Sequence, residues 1–180
     1  MRQSTLALAF ALSLLLVGTA PSAIALDEPA LVTTVGRADG SVVRAICRQA
    51  DLEAALIELP ERADLRNVQT LVIAMGTTPA ELESAGVSLE EELARGRRLI
   101  EQAQEAGIRI LGIHVGGSAL RGEVSDPLCA LVANAADALI VKQAGDTDGF
   151  LQAIADGRGI LLHSVDSNEE AIEIIRDFFD

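Results

Sequence analysis

Apolar residues fall along this chain in two alternating rhythms. Largely apolar runs rich in Val, Ile, Leu and Ala occupy 30–35, 69–75, 108–115, 138–142 and 160–163, and after each the apolar positions return every three or four residues. Runs of this length predict strands buried on both faces, and the 3.6-residue spacing predicts amphipathic helices. Val42, Val43, Ile46, Cys47, Ala50, Ala54 and Ala55 keep the helical rhythm, so one helix is expected over 41–59, with a polar connection at 60–67. A longer loop over 77–87, with room for a short helical turn, precedes Ser88. Ser88 with Glu91 has the form of a capping box, opening a helix that Gly107 would stop. Ser125-Asp126-Pro127 reads as a cap followed by proline at the first helical position, and that helix should end near Ala135. A short helix over 147–155 and a last one, opened by a further capping box of Ser167 with Glu170, complete the series. No internal repeat or low-complexity linker interrupts it.

Strands that alternate with helices pair in parallel through right-handed crossovers. The expected architecture is a doubly wound α/β domain, Rossmann-like or flavodoxin-like, with five mainly parallel strands and helices on both faces. Order 2-1-3-4-5 is the first expectation and 3-2-1-4-5 the second.

The first 25 residues break this pattern. Arg2, the apolar run from Leu6 to Gly18, and the small residues of Ala23-Ile24-Ala25 form a secretory signal with a cut after Ala25. The alternative is an uncleaved anchor helix, although the run is shorter than a membrane span needs. Export leaves one domain over 26–180, periplasmic or secreted and not itself membrane-spanning. The formal charge of −13 disfavours nucleic acid and anionic membrane surfaces. The chain has no Trp and no Tyr, which disfavours sugar and nucleobase sites built on aromatic platforms. Cys47 and Cys129 fall in expected helices and are read as buried free thiols or a bridge, the former preferred.

Ligands of open parallel sheets bind beyond the carboxyl ends of the strands. The residues expected there are Gly36, Arg37, Asp39 and Ser41; Gly76, Thr77 and Thr78; His114 to Ser118 with Arg121; Lys142 and Gln143; and His163, Ser164 and Asp166. His114-Val115-Gly116-Gly117-Ser118 is the leading candidate, because paired glycines can turn backbone N–H groups toward an anion while Arg121 adds charge. A tight turn alone explains the same glycines. The spacing matches neither a dinucleotide fingerprint nor a phosphate-binding loop. His114 and His163 could serve as acid–base groups, as metal ligands with Asp39 or Asp166, or simply as satisfied rim histidines. Ser118 near His114 would suit a hydrolase, but no Gly-x-Ser-x-Gly elbow is present. Glu90 to Glu92 read as a helix start favoured by the macrodipole, and Arg95, Arg97 and Arg98 as its solvated face.

Three segments carry a family resemblance: Glu28-Pro-Ala-Leu-Val-Thr33; Leu71-Val-Ile-Ala-Met-Gly76; and Gly112-Ile-His-Val-Gly-Gly117 with Arg121-Gly122 and Ser125-Asp126. The chain resembles the exported bacterial α/β proteins of domain-of-unknown-function family 6305. The resemblance implies a signal-bearing single domain and adds weight to His114, Gly116, Gly117, Arg121, Ser125 and Asp126 as a site, without bringing an activity, a cofactor or a metal. The functional expectation is a small-ligand binding or accessory protein that captures a small anion at the rim, with Gly76, Thr77, Ser118, Lys142 and His163 as further contacts. The alternatives are a small extracytoplasmic hydrolase using His114 and Ser118 or a metal, and a scaffold docking a membrane protein partner.

Overall fold

A computed structural model describes residues 24–180, so the signal expected at the start of the chain lies almost wholly outside the described residues. The elements follow in order: β1 (Ala30–Val35), α1 (Gly40–Gln49), β2 (Ala54–Leu56), β3 (Thr70–Met75), α2 (Pro79–Ala85), α3 (Leu89–Glu105), β4 (Arg109–His114), α4 (Asp126–Ala133), β5 (Ala138–Lys142), α5 (Phe150–Arg158), β6 (Leu161–Val165) and α6 (Asn168–Phe179). Short 3-10 turns at Gly117–Leu120 and Gln143–Gly145 follow β4 and β5. The strands form one sheet in the order β2-β1-β3-β4-β5-β6, with every pairing parallel.

Alternate side chains of the strands feed two cores. Val32, Val72, Ile113 and Ile140 pack with α1 and α6, whose Val43, Ile46 and Ile175 face them. Leu31, Ile73, Ile110 and Leu139 pack on the other face with Leu99, Leu128 and Leu151 from α3, α4 and α5. Cys47 and Cys129 are buried free thiols, one in each core, so the sheet lies between them. Among the described residues no helix is long and apolar enough to cross a membrane.

The α/β class is as expected, but the sheet has six strands, and the sixth changes the order. The helix expected over 41–59 ends at Gln49. The Asp51 backbone is left-handed (φ 64°), and the Leu52 amide donates back to the Cys47 carbonyl, which tucks Leu52 into the core and releases the chain into β2. Ala54 and Ala55 fit helical spacing equally well, and three residues are too few for a strand rhythm to show. With β2 at the edge, β1 lies between β2 and β3, and the second apolar strand is interior where it was expected at the edge. Counted over six strands, the order is flavodoxin-like, 2-1-3 and onward, with its reversal between β1 and β3.

Ser88 and Glu91 form the expected capping box, and Thr78 and Glu81 form a second one that opens α2. The box expected at Ser167 is half made: Ser167 accepts from the Glu170 amide, while the Glu170 carboxylate takes the Asp166 amide.

Candidate ligand site at the carboxyl rim

The rim begins where β1 and β3 end. Gly36 and Gly76 meet there with positive φ (107° and 125°), and a Cβ on Gly36 would lie 2.2 Å from the Gly76 carbonyl oxygen. Only glycine permits this closeness. The chain then turns through Arg37 (φ 72°) and Asp39 (φ 54°), two non-glycine residues in the left-handed region.

One buried carboxylate pins this loop. Glu92 of α3 is 1 % exposed and accepts hydrogen bonds from the Gly36 amide (2.9 Å), Arg37 Nε (3.0 Å) and Arg95 Nε (2.9 Å). Arg95 also donates to the Thr34 carbonyl at 2.6 Å. Burial alone would raise the Glu92 carboxyl, but the bonds from Arg95, Gly36 and Arg37, with the charge of Arg95, hold it down at about 2. Glu92 keeps its expected place in the first turn of α3 but is buried in a network with Arg95, which corrects the reading of Arg95 as part of a solvated face. Buried Gly96, Leu99, Ile100 and Ala103 place Glu92 on the inward face of α3, at i−4 and i−7 spacing that the apolar rhythm already contained.

Asp39 occupies the N-cap position of α1 but caps nothing. Its carboxylate lies instead beside Gly116, where a Cβ would come within 2.8 Å of Oδ2. Gly116 itself has an ordinary φ of −73°, so it is glycine because Asp39 and Leu120 crowd it; Gly117 (φ 62°) is the left-handed turn. Burial and then the charge of Glu81 raise the Asp39 carboxyl, against the opposing pull of His114 and Lys142. The Asp39 side chain makes no hydrogen bond or ion pair among the described residues. Nor does Lys142, the chain's one lysine, half-buried at the end of β5.

His114 closes β4 and is fully buried. Its Nε2 lies 3.1 Å from the Leu120 carbonyl, which assigns the proton to that nitrogen, and Nδ1 has no partner among the described residues. Gly145 seals the ring, since a Cβ there would fall 2.6 Å from Nδ1 and Cε1. Burial lowers the His114 pKa and outweighs the Leu120 carbonyl, so the imidazole is neutral at pH 7. Ser125 Oγ donates to the same Leu120 oxygen (2.6 Å) and accepts from the Thr77 amide (3.0 Å), tying together the ends of β3 and β4 and the start of α4. Ser125 therefore bridges loops and does not cap α4, contrary to its expected role.

Arg121 is enclosed by acceptors. It donates to Asp126 (2.6 Å), to Asp148 (3.0 and 3.2 Å) and to the Gly145 carbonyl, lies 3.6 Å from Asp146, and stacks at 4.9 Å over the Phe150 ring. Asp126 also accepts from the Gly122 amide (2.9 Å). This knot fastens the loops after β4 and β5 and leaves Arg121 little free charge.

Most of the expected site residues thus share one neighbourhood: Gly76, Thr77, His114, Gly116, Gly117, Arg121, Ser125 and Asp126, and the charge of Lys142 reaches Asp39. Ser118 is exposed on the 3-10 turn. His163 is apart. Strand β6 runs on to Val165, so His163 pairs with Ile140 in mid-strand and packs edge-on against Phe178, 5.3 Å between ring centroids. Because His114 pairs with Val141, the next residue along β5, the two histidines occupy opposite faces of the sheet. Among the described residues no three His, Cys, Asp or Glu side chains converge as metal ligands.

No curated protein matches this chain. The model of one family, described as a domain of unknown function (DUF6305), matches residues 27–179 and so spans β1 to α6, the two cores and every residue of the rim, and the chain belongs to that family.

Proposed function

We propose that this is an exported small-ligand binding or accessory protein that captures a small anion, a carboxylate, at the carboxyl rim between Lys142 and Asp39. The observation that carries the reading is the state of that pair. In a rim where Arg121 and Glu92 are fully engaged, the one lysine and a part-buried carboxylate have no protein partner among the described residues. Lys142 would take the carboxylate of a ligand, and Asp39 an amino or hydroxyl donor on the same molecule. The position supports this, since ligands of such sheets bind where the strand order reverses. The backbone supports it as well. Left-handed non-glycine residues cost about 1–3 kcal/mol each and cluster at ligand clamps, and two of them, Arg37 and Asp39, bring Asp39 to the rim. Export rests on Arg2, the apolar run from Leu6 and the Ala23-Ile24-Ala25 cut.

The test is thermal unfolding of the purified protein against a panel of small amino- and hydroxy-carboxylates. A ligand at a hundred times its Kd adds about 2.7 kcal/mol, or about 5–10 °C for a domain of this size. That rise should vanish in Lys142→Ala, while the unliganded midpoint of the variant stays close to wild type. A panel with no stabilising compound, or a rise that survives Lys142→Ala, overturns the reading.

A further inference from the structure

Away from the rim pair, on the face covered by α3, the chain between β2 and β3 crosses back over the sheet as irregular backbone. A groove runs between this crossover and α3. Its upper part, about 440 Å3, is lined by Arg37, Arg62, Arg95 and Arg98, with Leu59, Pro60 and Leu99 as its apolar side. Its lower part, about 390 Å3, shares Arg62 and Gln102 and adds Arg66 and Gln69. Five of the chain's 14 basic residues therefore line one groove of a protein whose net charge is −13. Among the described lining residues, Glu61 is the one carboxylate.

Apart from Arg95, which is spent on Glu92 and the Thr34 carbonyl, the arginines of this groove keep most of their donors free among the described residues. Arg37 uses only Nε on Glu92, which leaves both terminal amino groups without a partner among the described residues. Arg66 and Arg98 are exposed, and their side chains make no hydrogen bond or ion pair among the described residues. Arg62 pairs with Glu105, but with side chains 74 % and 64 % exposed that pair is weak and readily exchanged. Glu92 is the buried counter-charge for both Arg37 and Arg95, and it fixes their guanidinium planes from below. Planar, pre-oriented guanidinium groups bind oxyanions in bidentate fashion, and several in one groove favour a ligand with several negative charges.

We infer that the groove between α3 and the β2–β3 crossover is a second binding site, specific for a multivalent oxyanion, either a polycarboxylate or a phosphate compound. It is separate from the rim site and uses none of the charge of Lys142. Isothermal titration of the full protein with citrate and with pyrophosphate, in buffers matched for ionic strength with sodium chloride, tests it. Acetate serves as the monovalent control. At least one of the two polyanions should bind at one equivalent, with acetate silent; binding by citrate alone identifies carboxylates as the source chemistry, and binding by pyrophosphate alone identifies phosphates. Arg98→Ala should weaken that binding about 10- to 100-fold, the loss expected for one charge-assisted contact. Arg98→Glu together with Arg66→Glu should abolish it, and Lys142→Ala should leave it intact, so failure here and failure at the rim are distinguishable. Both arginines are exposed, and retention of the wild-type thermal midpoint checks that the double variant folds. Absence of binding by both polyanions at matched ionic strength overturns the inference, as does binding that the double variant retains.

Discussion

Two carboxylates flank the loop that leaves β1, and their circumstances are opposite. Glu92 is buried and accepts from one amide and two arginines, and its carboxyl is held near 2. Asp39 is part-buried, accepts nothing among the described residues, and is raised. The same contrast recurs between the cations: Arg121 is ringed by three aspartates and a carbonyl, while Lys142 has no partner among the described residues. Burial penalises every charge, so what separates the two classes is the number of hydrogen bonds made to the ionised form. Glu92 and Arg121 use their charge to hold loops in place. Asp39 and Lys142 use theirs on no hydrogen bond or ion pair among the described residues.

The contrast breaks first at Glu92. Removing one partner of a buried ionic network leaves the others uncompensated and costs about 3–5 kcal/mol. Glu92→Ala should lose that much in urea unfolding at pH 7, because Arg37, Arg95 and the Gly36 amide all lose their acceptor. The pH dependence carries the same signature. The folded pKa lies below the ordinary glutamate value of 4.5, so the unfolded chain binds the proton more readily as pH falls. The stabilisation is complete above about pH 4.5 and is lost progressively as the pH drops toward about 2. Wild type should approach Glu92→Ala in stability across that window, and a gap that stays constant would show that Glu92 is not the loop's anchor.

Arg121 should show a smaller effect of the same kind. Its side chain is 11 % exposed, but Asp148 is largely open to solvent and contributes little. The bonds to Asp126 and the Gly145 carbonyl remain, at about 1.5–3 kcal/mol for a contact to a charged group. Arg121→Ala should cost about 2 kcal/mol in urea unfolding and speed amide exchange in the loops after β4 and β5. It should leave ligand stabilisation through Lys142 in place. Loss of that stabilisation at unchanged stability would make Arg121 a ligand contact and dissolve the distinction between the two cations.

The long strands were legible because each buries both faces, so the runs around Val32, Ile73 and Ile140 carry no alternation that a helix could mimic. β2 was hidden by its three-residue length and by alanines that suit either rhythm, and the order of the sheet was missed with it. At the rim, His114, Gly116, Gly76 and Ser125 converge on Leu120 as strand-end residues should. His163 escapes because its strand runs two residues further than its apolar run. What the residue types could not express was saturation. Arg121 and Lys142 look alike as rim cations, and only the fold brings Asp126, Asp146 and Asp148 around one of them. Glu92 was legible in principle, since it keeps the spacing of Gly96 and Leu99 on the inward face of α3, but three successive glutamates in a first turn already had a sufficient reason to be there.

The smallest effect is also the one with the unusual sign. Asp39 has a folded pKa above its ordinary 3.8, so the folded state binds the proton more tightly than the unfolded one. An ionised Asp39 therefore subtracts from stability once pH exceeds the carboxylate range, and the subtraction disappears as pH falls below 3.8 and the group is protonated in both states. Asp39→Asn keeps the shape and discards the charge. It should raise the thermal midpoint at pH 7 by a small margin that shrinks toward zero at low pH, the reverse of the Glu92 profile. A carboxylate that weakens its own fold is the pattern of a group kept for binding, and residues of this kind are stabilised by removal at the expense of function. The same variant should lose stabilisation by amino- or hydroxy-carboxylates, because the donor of the ligand loses its ionised acceptor. If Asp39→Asn is instead less stable than wild type at pH 7, Asp39 holds its loop as Glu92 does, and the rim pair loses its claim as the ligand site.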